Sequence, residues 1–149
     1  MNRSEYYTRR EIIEEAETWE GTPFHHGAGV KGVGCDCAHL VSGVLEDMNL
    51  IPKVNYPVYG PDWFRHADHE EKFIVETLRA LGLPQVEQPQ MGDIAVIKFG
   101  RAYSHCVFIC GDGYGIQAWP THSAVSRVKL AEERLWKRSV KMYFSLIKG

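Results

Sequence analysis

Residues 32–41 read GVGCDCAHLV, with two cysteines one residue apart where a glycine-rich loop runs into a helical pattern. A cysteine pair at such a place suits three chemistries: half of a metal site, a redox couple, or a nucleophile beside a bystander. From Cys37 onward the apolar positions Leu40, Val41, Val44, Leu45 and Met48 recur at helical spacing. Asp36 is a residue type that caps helix N-termini by accepting from free backbone amides. This predicts a helix whose first residue is Cys37, with Cys35 left in the loop before it.

Outward from this stretch, a first helix is expected from about Ser4 to Trp19, with Ile12, Ile13, Ala16 and Trp19 on one side and GTP at 21–23 ending it. Residues 49–66 carry three prolines and four aromatics and read as a long ordered surface loop. DHEE at 68–71 resembles a capping box and predicts a third helix through Phe73, Val75, Leu78 and Leu81 to Gly82. The second half is different. DIAVIKF, HCVFIC, GIQAW, AVSRVKL and VKMYFSLI are short β-rich runs, and GDGYG at 111–115 reads as a hairpin turn between two of them. Helices followed by strands predict an α+β fold, with the N-terminal helices packed on one face of a C-terminal antiparallel sheet. No linker-like stretch divides the chain, so residues 1–149 are expected to form a single domain.

Composition narrows the function classes. With 17 basic and 19 acidic residues the formal charge is −2, which gives no general electrostatic case for nucleic acid or an anionic membrane. Runs such as IAVIKF are too short to span a bilayer. The opening MNRSEYYTRREIIEEAE lacks the apolar core of a secretory signal, so cytoplasmic synthesis is expected. Four cysteines in 149 residues are too few for a disulfide scaffold and are expected to be thiols.

The cysteine spacing argues against a metal. Zinc hooks place two to four residues between ligating cysteines, whereas Cys35 and Cys37 have one. On the predicted strand Cys106 and Cys110 share one face and His105 takes the other, so the bland reading of both cysteines is small apolar core residues. A redox couple at a helix start is usually C-x-x-C, not C-x-C. Neither metal nor organic cofactor is therefore expected. As a nucleophile, Cys37 would gain from the helix dipole, which favours a thiolate, and from free amides that can receive an oxyanion. Such a cysteine needs a base. His105, entering one strand, is the candidate, and Gln117, on the adjacent strand across GDGYG, is placed to hold the ring through its other nitrogen. Position types alone leave a packed strand histidine open as the alternative.

GTPFHHGAGVKGVGCDCAHLVSGVL (21–45) resembles the NlpC-type papain-like cell-wall cysteine peptidases, in which G-T-P-Y and a glycine-rich loop precede a D-C-S-G-L-V helix start. GDIAVIKF (92–99) followed by SHCVFICGDGYGIQAW (104–119) is similar to the second block of that family. The KGVGCDC form looks most like the branch found with phage and gene-transfer-agent tail genes. The resemblance implies a papain-like fold, Cys37 as nucleophile, His105 as base and Gln117 as orienter where the family usually has histidine. It implies hydrolysis of a peptide amide in a bacterial peptidoglycan stem peptide, with phage-like tail proteins as further partners and carriage in a phage-like particle. The alternative is a tail-assembly module that keeps the fold with little activity. Phe24 stands where the family often has a tyrosine, and His39 where it has glycine. Phe24, His26, Asp36, Ser104 and Trp119 are the candidate substrate contacts, while the aromatic loop YPVYGPDWF (56–64) reads equally as a lid or partner surface and as a cover for one edge of the core.

Overall fold

Helix α1 (Arg3–Glu17) starts where the Asn2 side chain accepts from the Glu5 amide at 2.8 Å. The structure, a computed structural model, describes residues 1–147. Ile12, Ile13 and Ala16 face inward as their spacing predicts, and Trp19 is buried just past the helix end. The glycine-rich loop folds into a small hairpin, β1 (Gly29–Val30) with β2 (Gly34–Cys35), which delivers the chain to α2 (Cys37–Asp47). Leu40, Val41, Val44 and Leu45 of α2 are buried against α1 and the sheet.

Helix α3 spans Ile74–Ala80, so it begins five residues later than the DHEE pattern predicts. Those acids pair elsewhere: Glu70 meets Lys98 at 3.0 Å and Glu71 meets Arg79. Phe73 adopts a left-handed φ of 74°, and its amide donates to the Glu76 carboxylate at 2.8 Å, which starts the helix instead.

The sheet contains β3 (Gln85–Val86), β4 (Ile94–Phe99), β5 (Ala102–Ile109), β6 (Tyr114–Gln117), β7 (Ser126–Lys129) and β8 (Lys141–Phe144). Its order is β3-β8-β4-β5-β6-β7, antiparallel throughout. GDGYG makes the β5–β6 hairpin, with Gly111 and Gly113 at φ 90° and 88°. Alternate residues serve two cores. Ile94, Val96, Cys106, Phe108, Ile116 and Phe144 meet the three helices. Ala95, Ile97, Val107, Ile109 and Val128 face the other way and are covered by Leu135 and Trp136 of α4 (Arg134–Arg138). The sequence reading misses α4 because five residues show no periodicity. No helix among the described residues is long and apolar enough to cross a membrane.

One buried ion pair ties α1 to the sheet. Arg9, almost fully buried, donates to Asp93 at 2.6 Å, to the Met91 carbonyl at 3.0 Å and to Ser145 Oγ at 3.2 Å. Gly92 allows the approach, since a Cβ there would lie 3.1 Å from the Arg9 carbonyl oxygen. Removing one member of a buried pair strands the other charge. Arg9→Met is expected to cost about 3–5 kcal/mol in urea unfolding. Glu5→Ala, which removes only the more exposed partner of Arg9, is expected to cost less than about 1 kcal/mol.

Candidate active site

Asp36 gathers the segments around the start of α2. Its Oδ1 accepts from the His39 amide at 2.9 Å and from His39 Nδ1 at 2.8 Å. Its Oδ2 accepts from the Gly27 amide at 2.9 Å and from the Tyr59 hydroxyl. Burial works to raise its pKa, but the hydrogen bonds from His39 and Tyr59 hold it below the usual carboxylate range. Asp36 thus has four donors on two oxygens and is spent as a structural cap rather than left free toward a substrate. His39, where the resemblance expects glycine, packs on Tyr56 and leans on Gly29, where a Cβ would lie 2.7 Å from its ring.

This cap leaves Cys37 as the first residue of α2, partly exposed at the floor of a cleft. The opposite wall comes from an opening in the sheet. β5 pairs with β6 only at Phe108–Ile116 and Ile109–Gly115, so its earlier residues are free of β6. There the Cys37 thiol reaches the Ser104 carbonyl at 3.6 Å. The thiol of Cys106, donating to Cys37, lowers the Cys37 pKa to about 5, with His105 adding to the effect against the cost of burial. The other cysteines move the opposite way. Burial pushes Cys35 up to about 12 and Cys110 to about 11, and Cys106 is raised by its contact with Cys37 and by burial. Cys35 is fully buried under the helix.

His105 is 1% exposed, and its Nε2 lies 2.7 Å from Gln117 Oε1. Its Nδ1 is buried with no hydrogen-bond partner among the described residues. The ring packs against Trp119, with centroids 4.6 Å apart. The arrangement therefore offers a low-pKa thiol, an imidazole held through one nitrogen, and a second nitrogen left bare. These are the parts of nucleophilic acyl transfer. Among the described residues no group of three His, Cys, Asp or Glu side chains is placed to hold a metal ion.

The cleft encloses about 260 Å³. Phe24, His26, Asp36, Ser104 and Trp119 all line it together with Cys37 and His105. His26 Nε2 donates to the Tyr59 carbonyl at 2.9 Å, and Ser104 Oγ donates to the Phe99 carbonyl at 2.8 Å, so both are held in place. The loop at 56–64 supplies Tyr59, Pro61, Trp63 and Phe64 to the cleft wall, while Tyr56 turns into the core. It acts as wall and cover together. The sequence reading does not single out Tyr59, whose contact with Asp36 exists only through space. Nor does it find Glu133, which accepts from Gln117 Nε2 at 2.9 Å and reads in the sequence as one more surface acid.

The same arrangement of helices and sheet occurs in solved structures. The peptidoglycan hydrolase RipB from Mycobacterium tuberculosis matches with a TM-score of 0.63 at 16% identity, over 100% of this chain and 70% of that one. The P60 domain of antigen MAP1204 from M. avium subspecies paratuberculosis gives 0.61 at 16% identity, over 97% and 98%. NlpC1 from Trichomonas vaginalis gives 0.62 at 13% identity, over 92% of this chain and 42% of that one. This is the NlpC/p60 papain-like fold. No family model and no curated protein matches the sequence.

The thiol environments predict selective alkylation. A thiolate forms above its pKa, so Cys37 is expected to react with iodoacetamide at pH 6, below the range of an ordinary thiol near ~8.5. Cys35, Cys106 and Cys110 are expected to stay unmodified at that pH. Peptide mapping by mass spectrometry checks both.

Proposed function

We propose that the chain is a cysteine hydrolase that cleaves an amide bond in the stem peptides of bacterial peptidoglycan. The observation that carries the reading is the cleft in which a Cys37 thiol with its pKa lowered to about 5 shares walls with His105, whose Nδ1 has no partner among the described residues and whose Nε2 is held by Gln117. In this mechanism the Cys37 thiolate attacks the carbonyl carbon and forms a tetrahedral oxyanion, which the free amides at the start of α2 face. Protonated His105 gives its proton to the leaving amine. The same ring then takes a proton from water, whose attack on the thioester releases the acid and restores the Cys37 thiolate beside the protonated ring. Gln117 holds the imidazole throughout. The wall peptide is supported by the fold shared with RipB and by the two sequence blocks at 21–45 and 92–119. The KGVGCDC helix start supports a place among phage-like tail proteins.

His39 does not line the cleft and Phe24 only walls it, so neither departure from the family pattern obstructs the thiol. That favours an enzyme over a scaffold that has kept the fold. A second reading is acyl transfer on a substrate other than the wall. It is favoured by the cleft lining, which among the described residues holds seven aromatic residues and no lysine or arginine to meet a carboxylate.

Mass spectrometry of peptidoglycan fragments after incubation tests the reading. Wild type is expected to release cleaved stem peptides. Cys37→Ala is expected to lose on the order of 10⁴-fold in turnover, and His105→Ala nearly as much, because nucleophile and base act as a unit. Gln117→Ala is expected to lose less, Gln117→His to retain activity, and Cys35→Ser to stay active. No cleavage by wild type, with Cys37→Ala still supporting particle assembly, would establish the scaffold instead.

A further inference from the structure

We propose that Glu133 is a positioning residue that fixes which nitrogen of His105 carries the proton. An amide side chain has two ends of nearly equal shape, one accepting and one donating. With its NH₂ toward His105 Nε2, Gln117 would require a bare Nε2 and would put the ring proton on Nδ1, the nitrogen that must receive the thiol proton. His105 alone does not decide between the two arrangements. Glu133 does. An ionised carboxylate only accepts, so the Gln117 NH₂ turns to Glu133, at 2.9 Å, and the Gln117 oxygen turns to His105 Nε2, at 2.7 Å. Nε2 then carries the proton, which leaves bare the Nδ1 that has no hydrogen-bond partner among the described residues.

The carboxylate is itself held. His122 Nε2 donates to the same Glu133 oxygen at 2.9 Å, and the Glu133 carbonyl accepts from the Lys137 amide at 3.1 Å as α4 begins. Glu133 is three-quarters buried, in a second cavity of about 260 Å³ behind His105 and Gln117, on the face of the sheet away from the helices. The short α4 that the sequence does not reveal thus brings in the residue that completes the relay. The consequence for catalysis rests on the reading of Cys37 and His105 as nucleophile and base. The placement of the proton does not.

The test uses protein labelled with ¹⁵N-histidine, in a Cys37→Ala background at pH 8, which removes the thiolate partner of the ring. Long-range ¹⁵N–¹H correlation spectra are expected to show His105 as a single Nε2–H tautomer. In Glu133→Gln, which can donate as well as accept, a fraction of Nδ1–H is expected to appear while the thermal unfolding midpoint is unchanged. With Cys37 restored, Glu133→Gln is expected to lower kcat in proportion to the Nε2–H fraction lost, with little change in KM. A Nδ1–H tautomer in the Glu133 protein, or a pure Nε2–H tautomer in Glu133→Gln, would overturn the proposal. A fall in kcat with an unmoved tautomer would also overturn it. The spectra need no substrate, so they separate this proposal from the proposed peptidase activity.

Discussion

The four donors on the Asp36 carboxylate are the constraint around which the site is built. Through them one side chain caps α2, fastens the glycine-rich loop by the Gly27 amide and pins the aromatic loop by the Tyr59 hydroxyl. A helix start held on three sides cannot fray, so Cys37 is fixed in space relative to both cleft walls. The capped helix also directs its free amides and its positive end at the thiol, which favours the thiolate. Burying a carboxylate this deeply is tolerated only because every lone pair direction is met.

The second requirement is a place for the histidine. A continuous sheet would have paired the early part of β5 and closed the cleft. Instead the β5–β6 pairing lasts two residues, and the opening admits the start of α2 from the helical side. His105 and Gln117 then lie between two cores, one built under the helices and one under α4. Such a position keeps the imidazole almost dry while leaving the neighbouring thiol partly exposed. A dry, fixed imidazole beside an accessible thiol is what the proposed acyl transfer asks of a fold.

The parts of this arrangement that follow from local chemistry were legible in the sequence. The cap at Asp36, the helix beginning at Cys37, the GDGYG hairpin and the facing of Cys106 depend on spacing within a few residues. The α+β order and the contact between His105 and Gln117 follow from adjacent strands. What was not legible depends on partners distant along the chain. Arg9 reads as a surface charge until Asp93 appears beside it, 84 residues away. The DHEE stretch reads as a cap because the pairing of Glu70 with Lys98 and of Glu71 with Arg79 lies outside its own turn. Tyr59 and Glu133 sit in segments with no periodicity, and each matters only through a side chain it meets across the fold.

In the proposed hydrolysis the Cys37 sulfur becomes acylated, and that intermediate can be trapped. Purified stem peptides would be mixed with the protein, quenched in acid at intervals from milliseconds to seconds, and the protein examined by intact mass and peptide mapping. The expected result is a transient mass increase equal to the acyl half of the cleaved peptide, carried as a thioester on Cys37. An adduct confined to another residue, or product formation with no adduct at any quench time and undiminished in Cys37→Ala, would contradict it.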